Sequence, residues 1–132
     1  MHRPASLLQG HNSLGMGSWH LGQGRRSLEE EKAALLTGLQ LGLTVIDTAE
    51  MYGDGLSEEL IGDVLREWSP RRSRPFLVSK VLPMHASRKG VMSAFEGSAD
   101  RLGVLPPLWI CSLVPVGSPR ACSARVSMSS LR

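Results

Sequence analysis

The apolar positions of this chain fall into two alternating rhythms. In "SLEEEKAALLTGLQLG", residues 27 to 42, Leu28, Leu35, Leu36 and Leu39 recur at helical spacing and predict one apolar helix face. Ser27, with Glu30 three positions later, has the pattern of a capping box, and Gly42 is the usual C-terminal stop. The short run Leu43 to Ile46 then predicts a strand buried on both faces. From Ser57, "SEELIGDVLREW" returns to the helical rhythm through Leu60, Ile61, Val64, Leu65 and Trp68, with acids in the first turn, where the helix dipole favours them. After "SPRRSRP", the run Phe76, Leu77, Val78 predicts another buried strand, finishing at Ser79 and Lys80. Val91, Met92, Phe95, Ala99 and Leu102 form the stripe of a third helix over Arg88 to Leu102.

The piece "SLGMGSW", residues 13 to 19, supplies a first strand ahead of these elements. Helices that alternate with apolar strands imply parallel βαβ units, which build either a doubly wound sheet or a (β/α)8 barrel. Gly15-Met16-Gly17 lacks the third glycine of a dinucleotide fingerprint, and no helix follows it directly, which favours the barrel. Both architectures carry their chemistry at the carboxyl ends of the strands.

Composition adds limits to this picture. The chain has 132 residues, 42% of them apolar and 20% charged, the make-up of one globular domain. Its formal charge of +3 is unevenly placed: from Arg101 onward there are four arginines and no acid, which leaves 11 basic against 12 acidic residues before it. The body is near neutral, and no basic stripe with interleaved aromatics suggests nucleic acid as a partner. Cys111 and Cys122 form neither a disulfide framework nor a zinc pattern, so a reducing, cytoplasmic setting is expected. The first twenty residues are broken by Gln9, Gly10, His11 and Asn12 and do not read as a signal peptide. The apolar stretch Leu105 to Val116 holds three prolines and is too short to span a bilayer, so no membrane partner is expected.

Three residues at strand ends can carry chemistry together. Asp47 follows the second strand, Tyr52 lies in the loop beyond it, and Lys80 ends the third strand; parallel neighbours deliver these ends to one face. A tyrosine is a weak acid at neutral pH, and a lysine cation beside it favours the phenolate and so makes the phenol a better proton donor. A carboxylate would hold that lysine charged and oriented. Such a donor can protonate a carbonyl oxygen as hydride reaches its carbon. Taken one by one, the same residues also suit a turn cap, a packed loop base and a solvated strand end.

The segment Asp47-Thr48-Ala49-Glu50-Met51-Tyr52-Gly53, followed by Ser57-Glu58-Glu59-Leu60-Ile61-Gly62, resembles the aldo-keto reductase family, as does "LVSKVLP" at 77 to 83. The similarity runs from about Leu14 to Gly103. It implies residues 1–103 as the amino-terminal part of a barrel, about the first three βα units, that binds NADPH at its carboxyl-terminal mouth. Tyr52 then looks like the general acid, Lys80 its activating cation, and Asp47 the carboxylate paired with the lysine. Gly17, Ser18 and Trp19 are similar to the family's first strand end, where they and Asp47 would approach the cofactor and a small carbonyl substrate. Glu58 and Glu59 read as helix-opening residues without chemistry.

From Val104 the pattern departs from the family. The segment 104–132 has no acids, frequent Ser, Pro and Arg, and no helical period, and is expected to be an irregular, divergent tail. The family's fourth strand ends in a histidine, whereas no histidine follows His85 here, and His20 and His85 read as surface residues. Trp109-Ile110-Cys111 must be encoded TGG-ATH-TGY, whose overlapping frame contains an Asp followed by Leu or Met, as in the family's fourth strand. A frameshifted or alternatively spliced tail is therefore a hypothesis, and a "DLYLLH"-like reading in another frame of the DNA would support it.

A barrel of this class takes eight strands and about 250 residues. Three units leave sheet edges and apolar faces uncovered, so the isolated chain is expected to be marginally stable, inactive and prone to self-association. Two rival readings follow: a non-catalytic interaction or regulatory fragment of the same ancestry, and a barrel enzyme in which Lys80 forms a Schiff base.

Overall fold

The computed structural model describes residues 14–68 and 74–104 and the backbone of 109–113. The readings on the first thirteen residues, on positions 69–73 and on the tail past Leu113 lie outside the described residues. In chain order the elements are β1 (Met16–Gly17), α1 (Leu28–Gln40), β2 (Val45–Asp47), α2 (Leu56–Glu67), β3 (Phe76–Val81), α3 (Arg88–Leu102) and β4 (Trp109–Leu113).

The four strands form one parallel sheet in the order β1-β2-β3-β4. Met16 lies opposite Ile46, Ile46 opposite Leu77, and Leu77 opposite Trp109. Each strand neighbours its sequence successor, as in a (β/α)8 barrel; a doubly wound sheet would reverse order at a switch point. The partial barrel expected from the sequence is thus the observed architecture. It reaches one strand further than three units, because Trp109–Leu113, inside the segment expected to be irregular, pairs along β3.

Local chemistry explains where the helices begin and end. At α1 the Ser27 side chain accepts from the Glu30 amide at 3.2 Å, while the Glu30 carboxylate accepts from the Ser27 amide at 3.2 Å. Gly42, at φ 90°, closes the same helix: its N–H donates to Leu39 and the Leu43 N–H donates to Gly38, a left-handed cap that glycine adopts without steric cost. α3 spans the range read from its apolar stripe, with Ser87 capping its start and Gly103 its end.

One side of the sheet is covered. Leu35 and Leu39 from α1, Leu60, Ile61 and Val64 from α2, and Phe95 and Leu102 from α3 pack with Ile46, Leu77 and Val81 in a single apolar core. Burying each of these larger side chains is worth about 1.5–3 kcal/mol. Two details differ from the sequence reading. Leu28 is half exposed, and the face of α1 instead buries Glu31, whose carboxylate accepts from the Gly22 amide at 2.7 Å. Nor are the strands buried on both faces: in β3 Leu77, Ser79 and Val81 are buried, while Phe76, Val78 and Lys80 are only partly so. The helices cover one face, and the face that would line a barrel interior meets no second layer among the described residues.

Candidate functional site

The carboxyl ends of β1, β2 and β3 meet at one mouth. β1 delivers Gly17, which lies opposite Asp47, and the Ser18 amide donates to the Asp47 carbonyl at 3.0 Å. Past β2 the chain makes a tight turn at Tyr52–Gly55 in which Gly53 and Asp54 adopt left-handed conformations. That turn folds Tyr52 back over the end of β3.

Lys80 is the centre of the cluster. Its ammonium donates to Asp47 Oδ2 at 2.6 Å and to the Thr48 carbonyl at 2.9 Å, and lies 3.4 Å from the Tyr52 hydroxyl. The lysine side chain is 19% exposed and that of Asp47 45%, so the ion pair sits at an open rim rather than in the core. The structure therefore brings together the three residues singled out from their strand-end positions. Trp19 is 68% exposed; its ring stacks on His20 at 4.5 Å and lies 6.5 Å from that of Tyr52. His20, read as an ordinary surface residue, thus supports the tryptophan at the mouth. β4 contributes no histidine.

Gly17 offers open space, since a side chain there would meet nothing within 4 Å, and the Ser18 and Thr48 hydroxyls are buried without a protein partner. The open space at Gly17, the exposed indole of Trp19 and the accessible carboxylate of Asp47 leave room at this mouth for a planar, hydrogen-bonding group, whereas the Ser18 and Thr48 hydroxyls are wholly buried. Among the described residues no group of three or more His, Cys, Asp or Glu is arranged to hold a metal ion.

Several supporting residues were not legible as such in the sequence. Glu58, expected only to open α2, is fully buried; its carboxylate accepts from Ser79 Oγ at 2.5 Å and from Arg101 Nε at 2.7 Å. The neighbouring Ser57 hydroxyl reaches the carbonyls of Ser18 and Leu21 at 2.9 and 2.7 Å, which ties the Trp19 loop to the start of α2. The Glu50 carboxylate accepts from the Leu82 amide at 2.5 Å and contacts His85 Nδ1 at 2.9 Å. Their partners are 21 to 43 residues away, and local spacing carries no such signal.

Comparison with known proteins extends this geometry. The sequence profile of the aldo/keto reductase family matches residues 13–107. Methylglyoxal reductase YeaE of Escherichia coli strain K12 is 43% identical over 90 residues, which cover 68% of this chain and 31% of that protein. Aldo-keto reductase YhdN of Bacillus subtilis strain 168 is 33% identical over 100 residues, 67% of this chain and 30% of that one. Among solved structures, an aldo-keto reductase from Klebsiella pneumoniae in complex with NADPH superposes with a TM-score of 0.72 at 41% identity, over 82% of this chain and 37% of its own. The chain spans about a third of the length of the curated relatives it matches.

Proposed function

Since the chain belongs to the aldo/keto reductase family, we propose that its mouth is the proton-donating half of a site for NADPH-dependent reduction of aldehydes or ketones. The observation that carries this reading is the placement of one ammonium, Lys80, between the Asp47 carboxylate and the Tyr52 phenol. When bound, NADPH would supply hydride to the carbonyl carbon and leave as NADP+. Tyr52 would give its proton to the carbonyl oxygen, and the Lys80 charge would stabilise the phenolate that develops. Asp47 and the Thr48 carbonyl hold Lys80 in place and offset its charge. Gly17, Ser18, Trp19 and Asp47 would hold the nicotinamide end, and the Trp19 ring would shield it from water. Such chemistry fits a small-molecule carbonyl substrate in a reducing, cytoplasmic setting.

The test is NADPH binding by the purified chain, read by nicotinamide fluorescence, followed by NADPH oxidation with methylglyoxal, the compound named for the 43% identical relative. Tyr52→Phe should retain binding and lower whatever turnover the native chain supports by about 10²- to 10⁴-fold, the usual contribution of a positioned general acid. Equal turnover in the variant would remove Tyr52 from the role.

A second reading has its own observation. The half-covered inner face of β3 suits a non-catalytic role in which the sheet associates with another copy of the chain.

A further inference from the structure

The two chain segments that carry Tyr52 and Lys80 are joined by a side chain outside that cluster. Past the end of β2, backbone bonding to β3 continues: the Thr48 amide donates to Val78 O at 2.7 Å, and the Glu50 amide donates to Lys80 O at 3.2 Å. In a parallel ladder each such residue also accepts from the partner strand two positions on, so the Leu82 amide should donate to the Glu50 carbonyl. Instead it donates to the Glu50 carboxylate at 2.5 Å, and the same oxygen lies 2.9 Å from His85 Nδ1. The side chain of Glu50 is 9% exposed, so this last rung is sheltered from water. The carboxylate thus acts as an extra link of the sheet at the point where the chain must leave β2 and turn back with Tyr52.

We propose that Glu50 is a positioning residue, which by holding the Leu82 amide and the His85 ring fixes the Tyr52 loop to the end of β3 and so sets the approach of the Tyr52 phenol to Lys80. The inference rests on the proton-donor reading of that pair, but its geometry stands apart from turnover. What the position requires is an acceptor of the right reach rather than a charge. Glutamine should serve, whereas alanine and the shorter aspartate should not.

The protein has a single tyrosine, so tyrosine labelled with ¹³C at the ring carbon bearing the hydroxyl gives one signal, that of Tyr52. The contact with Lys80 is read as the movement of that signal on Lys80→Met. In the native background and in Glu50→Gln the signal should move. In Glu50→Ala, and in Glu50→Asp should the alanine variant not melt cooperatively by circular dichroism, Lys80→Met should leave it where it is. Equal movement in all backgrounds would overturn the proposal. Native protein that shows the coupling but oxidises no NADPH would keep the Glu50 assignment while removing the catalytic reading, so the two fail separately.

Discussion

Glu58 shows how much a single residue carries beyond its local pattern. It is fully buried and holds a hydroxyl from β3 and a guanidinium from α3 at once. Glu58→Ala would strand the Arg101 charge and leave Ser79 without its acceptor. Removing one partner of a buried ion pair costs about 3–5 kcal/mol, and because Arg101 is part exposed the lower end, about 3 kcal/mol, is expected in chemical unfolding. Glu58→Gln, which keeps an acceptor for Ser79, should cost less; equal losses would show that the charge facing Arg101 carries the whole effect and the bond to Ser79 none of it. In the sequence Glu58 reads as an acid in a first helical turn, an ordinary dipole partner, and nothing adjacent shows that Ser79 and Arg101 converge on it. Asp47, Tyr52 and Lys80 were legible because each stands at or just after a strand end, and parallel strands bring their ends to one side. The support of Glu50 by Leu82 and His85 was not, since it depends on how two loops leave the sheet.

At the level of elements, local signals defined the helices well and the strands less so. The capping box of α1 and the limits of α3 follow from groups within a few residues of each other, where sequence spacing and space nearly coincide. Strand burial instead depends on what lies across the sheet, so apolar runs expected to be buried twice are covered on one face only. The packing of α2 against α3 turns on Gly62, where an added Cβ would collide with the main-chain oxygen of Arg101. Gly62→Ala should therefore destabilise by about 1–3 kcal/mol, the usual cost of overpacking, despite alanine's better helix propensity. A gain in melting temperature would show that the two helices separate freely.

The bridge between α1 and α2 predicts a pH response. Lys32 Nζ lies 2.8 Å from Asp63 Oδ2, and this hydrogen bond holds the Asp63 carboxyl below the usual carboxylate range and the Lys32 ammonium above its own. A lowered acid stabilises the fold above its unfolded value, near 4, and loses that contribution as pH falls through the lower folded value. The raised lysine contributes fully below about 10.4 and loses its share as pH rises through the folded value. Asp63→Asn should thus unfold more easily than the native chain at neutral pH, with the difference closing as pH falls below the lowered folded value of Asp63. A gap of constant size across the acid range would exclude this pair as its source. Both side chains are partly exposed, so salt should narrow the neutral-pH gap as well.

At the scale of the whole molecule, the main feature is a sheet covered on one side among the described residues. Three helices and a single apolar core stabilise the outer face, while Phe76, Val78 and Lys80 remain partly accessible on the inner one. Family membership and the partial barrel were legible from residues 14 to 103, and the profile match extends this to 107. The strand at Trp109–Leu113 was not, because its three flanking prolines and lack of polar alternation hide a segment whose pairing with β3 is a non-local contact. Sheet edges at β1 and β4 that pair with no further strand among the described residues, and the partly accessible inner face, predict concentration-dependent association, which sedimentation velocity would register as a rising weight-average coefficient. A monomer at all concentrations, with cooperative melting, would mean that four strands and three helices suffice by themselves.

The alternation along β3 also restricts how this chain can change. Odd-numbered positions 77, 79 and 81 are buried beneath the helices and even-numbered 76, 78 and 80 share the inner face that ends at the mouth with Lys80, so stability and chemistry are interleaved one residue apart. Parity is therefore inherited along with identity. Inserting one residue between Phe76 and Lys80 would send the lysine toward the helices and bring a core residue to the rim, exchanging both sets of side chains at once. Inserting two would restore the faces but carry Lys80 about 6.6 Å along the strand, away from Asp47. A change of length should therefore be tolerated better in connections that carry no residue of the mouth than within β3.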